Sequence, residues 1–163
     1  MPLPERKIST LTAPVRRGIF FTGDTMKNYF QFRFSANKET SEIATPLYLK
    51  KHGEINGEQK ANAIWDTGAT SSMISAAMAK KLQLTPSGTM QIAGVHGVQN
   101  ARCYYVDIIF GNGFCIPSVK VSEASDFGGF DLLIGMDIIG QGALVLDGTQ
   151  ELLNVRFQFP AER

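Results

Sequence analysis

Cysteine is scarce in this chain, with two among 163 residues, too few for a disulfide framework. Their positions argue against even one bond. Residues 101–110 and 114–121 read as a hairpin around Gly111, Asn112 and Gly113, which pairs Cys115 near Ile109 and Cys103 near Val121. At about 3.3 Å of rise per residue the two sulfurs fall roughly 20 Å apart, so both are expected as free thiols. Charge of one sign is equally short: 16 basic against 15 acidic residues leave a net +1, and the pairs Arg16-Arg17, Lys50-Lys51 and Lys80-Lys81 are scattered. Such a surface offers no field for nucleic acid or an anionic membrane. No apolar run approaches the length of a membrane span, and residues 1–7 lack the apolar core of a signal peptide. The expectation is a cytoplasmic protein with neither nucleic-acid nor membrane partners.

Metal and nucleophile chemistry are also poorly provided for. His52 and His96 stand alone, without a second ligand at metal spacing, so neither a metal nor a cofactor is expected. Ser71, Ser72 and Ser75 have no Gly-x-Ser-x-Gly setting, and neither cysteine has a histidine nearby in sequence.

What the chain does contain is enough apolar material for one buried domain, 44% hydrophobic against 19% charged. It is cut into short strands by turn residues, so the expected fold class is all-β. Residues 1–18, with Pro2, Pro4 and Pro14, read as an extended arm, and Ile19–Phe21 could pair with Tyr29–Phe34 across Gly23-Asp24. Residues 46–55 and 58–65 flank Asn56-Gly57, a strong hairpin signal. Residues 75–84 carry the best helical pattern, with Ser75 as N-cap and Pro86 beyond the end. A shorter helix is expected after Gly135. Residues 143–146 and 151–159 suggest a last hairpin around Asp147-Gly148-Thr149, with Val155, Phe157 and Phe159 on one face.

The second strand of the Asn56-Gly57 hairpin runs into Ile64-Trp65-Asp66-Thr67-Gly68-Ala69-Thr70. An acid at a strand end, followed by a hydroxyl and a residue without Cβ, is a half-buried carboxylate with room for a close backbone approach. By residue usage alone, Asp-Thr-Gly arises by chance in about one chain of this length in thirty. A second motif makes the first informative: Phe130-Asp131-Leu132-Leu133-Ile134-Gly135-Met136-Asp137, an apolar run broken by glycine.

In this order the two motifs resemble the retropepsin-like aspartic proteases, over about residues 46–140. Asp66, Thr67, Gly68 and Ala69 match the family's Asp-Thr-Gly-Ala motif, and Leu133, Ile134 and Gly135 its apolar-apolar-Gly motif. The resemblance implies a closed barrel or sandwich with one or two short helices, an N-terminal arm with room for extra strands over residues 1–45, and a protease domain over residues 46–163. It implies aspartic endopeptidase activity with Asp66, Thr67 and Gly68 catalytic. It also implies a flap over residues 89–100, with Gly94, Val95, His96 and Gly97 at its tip, and a peptide site walled by Ala69, Met73, Ile92, Val98, Leu132 and Ile134.

There is one Asp-Thr-Gly. Thr22-Gly23-Asp24 and Asp147-Gly148-Thr149 hold the letters in the wrong order, so the resemblance implies a homodimer acting on polypeptides, with the C-terminal strand as a candidate for the dimer sheet. The alternative is a non-catalytic retropepsin-fold module for peptide binding or dimerisation. Thr70 and Met136 occupy the positions where retroviral members carry an Asp and an Arg that pair, while the Gly-x-Asp pattern ending in Asp137 is more similar to cellular and bacterial members.

Overall fold

The computed structural model describes residues 30–36, 39, 41–94, 97–111, 113–125 and 127–159. Their elements, in order, are β1 (Phe30–Ala36), β2 (Ile43–Lys51), β3 (Gln59–Trp65), β4 (Met73–Ser75), α1 (Ala76–Lys81), β5 (Gly88–Gly94), β6 (Gly97–Ile109), β7 (Cys115–Ala124), β8 (Leu132–Ile134), α2 (Met136–Ile139), β9 (Ala143–Asp147) and β10 (Leu153–Phe159). The all-β expectation holds. Seven strands form a sheet in the order β2-β3-β8-β4-β7-β6-β5, and a further pairing of β2 with β6 closes six of them into a barrel. β5 hangs outside the closure, as the outer arm of the β5–β6 hairpin.

Period-two alternation fills the barrel. Leu47 and Leu49 of β2, Ala61, Ala63 and Trp65 of β3, and Val106 and Ile108 of β6 point inward, with at most 6% exposure. β8 is buried at all three positions, as a short central strand should be. A second sheet, in the order β1-β10-β9, packs on the barrel through aromatic rings. Phe157 is fully buried with its ring 4.7 Å from that of Trp65, and Phe159 meets Phe114 edge-on at 5.9 Å. The inward face expected of Val155 and Phe157 is therefore what joins the two sheets.

Several expected registers are corrected. The 46–55/58–65 hairpin does not turn tightly at Asn56-Gly57. β2 starts at Ile43 and stops at Lys51, pairing Ile43 with Trp65 and Leu49 with Gln59, and residues 52–58 form the connection. The end of β2 follows another neighbour, with Tyr48 opposite Ile109 and Lys51 opposite Val106 on β6, so sheet closure overrides the local turn signal. Helix α1 is Ala76–Lys81 rather than 75–84. Ser75 does cap it, accepting from the Met78 N–H at 3.1 Å, but Gln83 turns left-handed at φ 51° and the Leu84 N–H closes back on the Ala79 carbonyl at 3.0 Å, which ends the helix a turn early.

Cys115 does sit opposite Ile109, but Cys103 faces Ser122 rather than Val121, because an irregularity between Val106 and Ile108 shifts the register by one. Both cysteines are free. β1 pairs with β10, from Phe30 opposite Phe159 to Ala36 opposite Leu153; the arm 1–18 and the strand 19–21 lie outside the described residues. β10 has a partner on each side, so the C-terminal strand has no open edge for a dimer sheet. No described helix is long and apolar enough to cross a membrane.

The β2–β6 closure is pinned by a polar cluster around Asp107, 6% exposed on β6. Its Oδ1 receives His52 Nδ1 at 2.7 Å and the Ser118 N–H at 2.9 Å, while Lys50 Nζ lies 3.6 Å from Oδ2. Burial works against the charge, but the Ser118 N–H, His52 and Lys50 outweigh it and hold the carboxyl below its usual range. A depressed acid contributes stability that is complete above its unfolded pKa, about 3.9, and disappears as pH falls through the lower folded value. Asp107→Asn should therefore lower the urea-derived stability by about 1–3 kcal/mol at neutral pH, with the gap from wild type closing in titrations taken well below pH 4.

Candidate functional site

β3 delivers Asp66 from a rigid platform. Trp65 is held on two sides, its indole N–H donating to Thr45 Oγ1 at 2.9 Å and its ring against Phe157. Parallel pairing with β8, Ala63 opposite Leu132 and Trp65 opposite Ile134, continues one step beyond the strand, where the Asp66 N–H donates to the Ile134 carbonyl at 2.9 Å. The chain then turns, with the Ala69 N–H on the Asp66 carbonyl at 3.3 Å and the Gly68 N–H on Asp66 Oδ1 at 2.8 Å. The carboxylate is half-buried, and Thr67 and Gly68 beside it are exposed. A Cβ on Gly68 would stand 3.1 Å from Asp66 Oδ1. The glycine leaves the carboxylate room, and no unusual φ is involved.

The second motif lies directly against this turn. β8 runs between β3 and β4, with Leu133 opposite Met73. A Cβ on Gly135 would sit 2.7 Å from the Ser71 carbonyl carbon and 3.0 Å from the Ala69 oxygen, so two backbones touch at this point. The Met136 N–H donates to the Ala69 carbonyl at 2.8 Å. Ser72, fully buried, then locks the loops. Its Oγ donates to Asp137 Oδ1 at 2.8 Å and accepts the Gly135 N–H at 3.1 Å, and its N–H donates to Asp137 Oδ2 at 2.9 Å. The Ile138 N–H adds a bond to Asp137 Oδ1 at 3.0 Å, so both oxygens of this acid are engaged.

This geometry, an Asp-Thr-Gly turn crossed by an apolar-apolar-Gly strand, lies within residues 52–141, which match the family profile described as "gag-polyprotein putative aspartyl protease". The chain belongs to that family. Its fold is shared with a retropepsin-like aspartic protease from Rickettsia conorii, at 16% identity and a TM-score of 0.53 over 80% of this chain and 93% of that one. The EIAV protease, solved with the inhibitor HBY-793, superposes at a TM-score of 0.50 with 21% identity, over 64% of this chain and 89% of the other. No curated protein sequence matches the chain significantly.

Among the other residues expected at a retropepsin-like site, the structure separates two groups. Leu132 and Ile134 are fully buried members of the barrel core, so they pack the interior instead of walling a peptide site; a central strand covered on both faces has no side chain to spare. Ala69 and Met73 are half-buried beside the turn, and Ile92 is half-buried on the hairpin arm. Val98 is 65% exposed on the same hairpin, where Gly94 pairs with Gly97 and Gly97 takes φ 100°. Val95 and His96, between them, lie outside the described residues. A cleft of about 470 Å3 lies elsewhere, against α1, among Ala79, Lys80, Gln83, Arg102, Tyr104 and Glu123. It contains none of the expected site residues.

Ser72 was readable from sequence only as an unactivated serine, and its link to Asp137 spans 65 residues. The Gly-x-Asp spacing at 135–137 was the available signal. Two variants test the junction by urea unfolding. Gly135→Ala drives a Cβ into the Ser71 backbone and should cost about 1–3 kcal/mol. Asp137→Ala strands the buried Ser72 donors and should cost about 2–3 kcal/mol, whereas Asp137→Asn, which keeps an acceptor, should recover part of that loss.

Proposed function

We propose that this protein is an aspartic endopeptidase that acts as a homodimer, with Asp66 of each copy facing the other across a two-fold axis. The observation that carries the reading is the Asp66 carboxylate, anchored on one oxygen by the Gly68 N–H at the crossing of the two motifs, once per chain. Hydrolysis of a peptide by an activated water needs a base and an acid together, and one carboxyl cannot be both. Two copies supply the pair. Like charges brought close do not both ionise readily, so the pair holds a shared proton, one member ionised and the other protonated.

The ionised Asp66 takes a proton from water as the oxygen attacks the peptide carbonyl, and the protonated Asp66 donates to the carbonyl oxygen. Collapse of the tetrahedral diol returns the protons and transfers one to the leaving amine. No bond to the enzyme forms, and water with two carboxyls meets every proton transfer without a cofactor. Thr67, exposed next to Asp66, bonds across the axis in this reading. The β5–β6 hairpin is the flap in this reading, with Ile92, Gly94, Gly97 and Val98 above an extended polypeptide and Met73 and Ala69 at its floor.

Incubation of wild type and Asp66→Asn with a mixed peptide library should show cleavage falling by about 10²–10⁴-fold in the variant. The wild-type rate should form a bell on the acidic side of neutrality, because loss or gain of the shared proton removes one role. Equal cleavage by both forms, or none by either at concentrations where the protein is dimeric, would sink the protease reading and favour a non-catalytic peptide-binding module.

A further inference from the structure

The cleft beside α1 has two walls of different character. One is the helix itself, which is fixed: Ser75 caps it, it runs on directly from β4, and Met78, Ala79 and Leu82 bury its inner side. The other is β6 at the base of the β5–β6 hairpin, where Arg102 stands opposite Thr89. Alternation sets Arg102 and Tyr104 on the side of β6 that lines the cleft, with Ala101 and Cys103 on the other. The space between the walls, about 470 Å3, falls within the roughly 300–1,000 Å3 typical of small-molecule sites.

The polar groups of this cleft have donors to spare and few acceptors. Its one acid, Glu123, is engaged at both oxygens: Oε2 accepts from the Tyr104 hydroxyl at 2.5 Å, and Oε1 lies 3.8 Å from Arg102 Nη1. Arg102 carries five N–H donors on a side chain that is 65% exposed. Lys80, in the last turn of α1, is exposed and among the described residues makes no ion pair. Gln83 adds an exposed amide at the left-handed turn that ends the helix. Two cations against one occupied carboxylate leave the mouth positive. Behind them the floor is apolar, formed by Ala79, Leu84 and the ring of Tyr104.

We propose that this cleft binds a small organic anion, a carboxylate or a phosphate monoester with an apolar body. The anionic head lies between Lys80 and Arg102, where charge-assisted hydrogen bonds are strongest, and the body covers Ala79, Leu84 and Tyr104. Because Lys80 belongs to the helix and Arg102 to the hairpin, the bound anion ties the hairpin base to the barrel and reduces its freedom to open. The site contains no residue of the Asp66 turn, so the inference holds whether or not Asp66 cleaves peptides.

Titration of the full chain with benzoate and with phenyl phosphate, followed by amide NMR, tests the site. Saturable shifts should gather at residues 79–84 and 102–104, and the tighter ligand names the head group. Benzamidine, the same ring with a positive head, should produce none. Lys80→Gln and Arg102→Gln should each weaken binding about tenfold, the worth of one charge-assisted hydrogen bond. Glu123→Gln, which keeps an acceptor for Tyr104 and removes the negative charge, should tighten it, and Lys60→Gln on β3 should leave it unchanged. Hydrogen exchange of the β5–β6 amides should slow about tenfold at saturation. No saturable shift with either anion, equal binding of benzamidine, or wild-type affinity in both the Lys80 and Arg102 variants overturns the site. Saturable binding with unaltered exchange in the hairpin overturns the tie between hairpin and helix and leaves the anion site standing.

Discussion

The contact between Gly135 and the backbone of Ser71 and Ala69 sets the terms for everything around it, because a side chain at 135 would occupy space already held by main-chain atoms 2.7–3.0 Å away. At that distance the second motif can cross behind the first, which lets the Met136 N–H reach the Ala69 carbonyl and the Ser72 hydroxyl bridge the Gly135 N–H and Asp137. Buried polar groups are stabilising only when fully partnered, and here Ser72 and Asp137 satisfy each other within one compact knot. The Asp66 turn consequently sits on a base tied together by hydrogen bonds, although three of its residues face solvent.

Rigidity at the base matters because the carboxylate itself is held lightly. One bond from the Gly68 N–H orients Oδ1, and the rest of the positioning comes from Trp65 upstream, wedged between Thr45 and Phe157. In the proposed homodimer, a site that shares a proton with its copy needs this division: firm backbone placement, and a carboxyl whose remaining capacity is left for water, substrate and the partner acid. The aromatic wedge also links the small sheet to the Asp66 turn, so that the same Phe157 that anchors β10 to the barrel supports the residue preceding Asp66.

Much of this was legible in the chain where a residue's meaning is local. Ser75 capped a helix as its type and position suggested, the two motifs named the crossing, the Gly94–Gly97 segment marked a hairpin, and alternation assigned the inward face of Val155 and Phe157. Local signals failed where a distant strand competed for the same backbone. Asn56-Gly57 is good turn chemistry, yet β2 left β3 at Lys51 to follow β6, and His52 and Asp107 sealed that choice. Leu132 and Ile134 looked equally apt for a pocket wall and a core, since burial on both faces of a three-residue strand depends on neighbours that are remote in sequence.

By itself, then, the sequence determined the strand-rich class, the identity of the acid and glycines at the crossing, and the presence of a single Asp-Thr-Gly per chain, because each follows from residue type and short spacing. Only the tertiary structure decided which strands close the barrel, that Ser72 and Asp137 are the pair that locks the two loops, and that β10 is the interior strand of the small sheet. Those outcomes depend on pairings between segments tens of residues apart, where many registers satisfy the local pattern and only packing of the whole selects one.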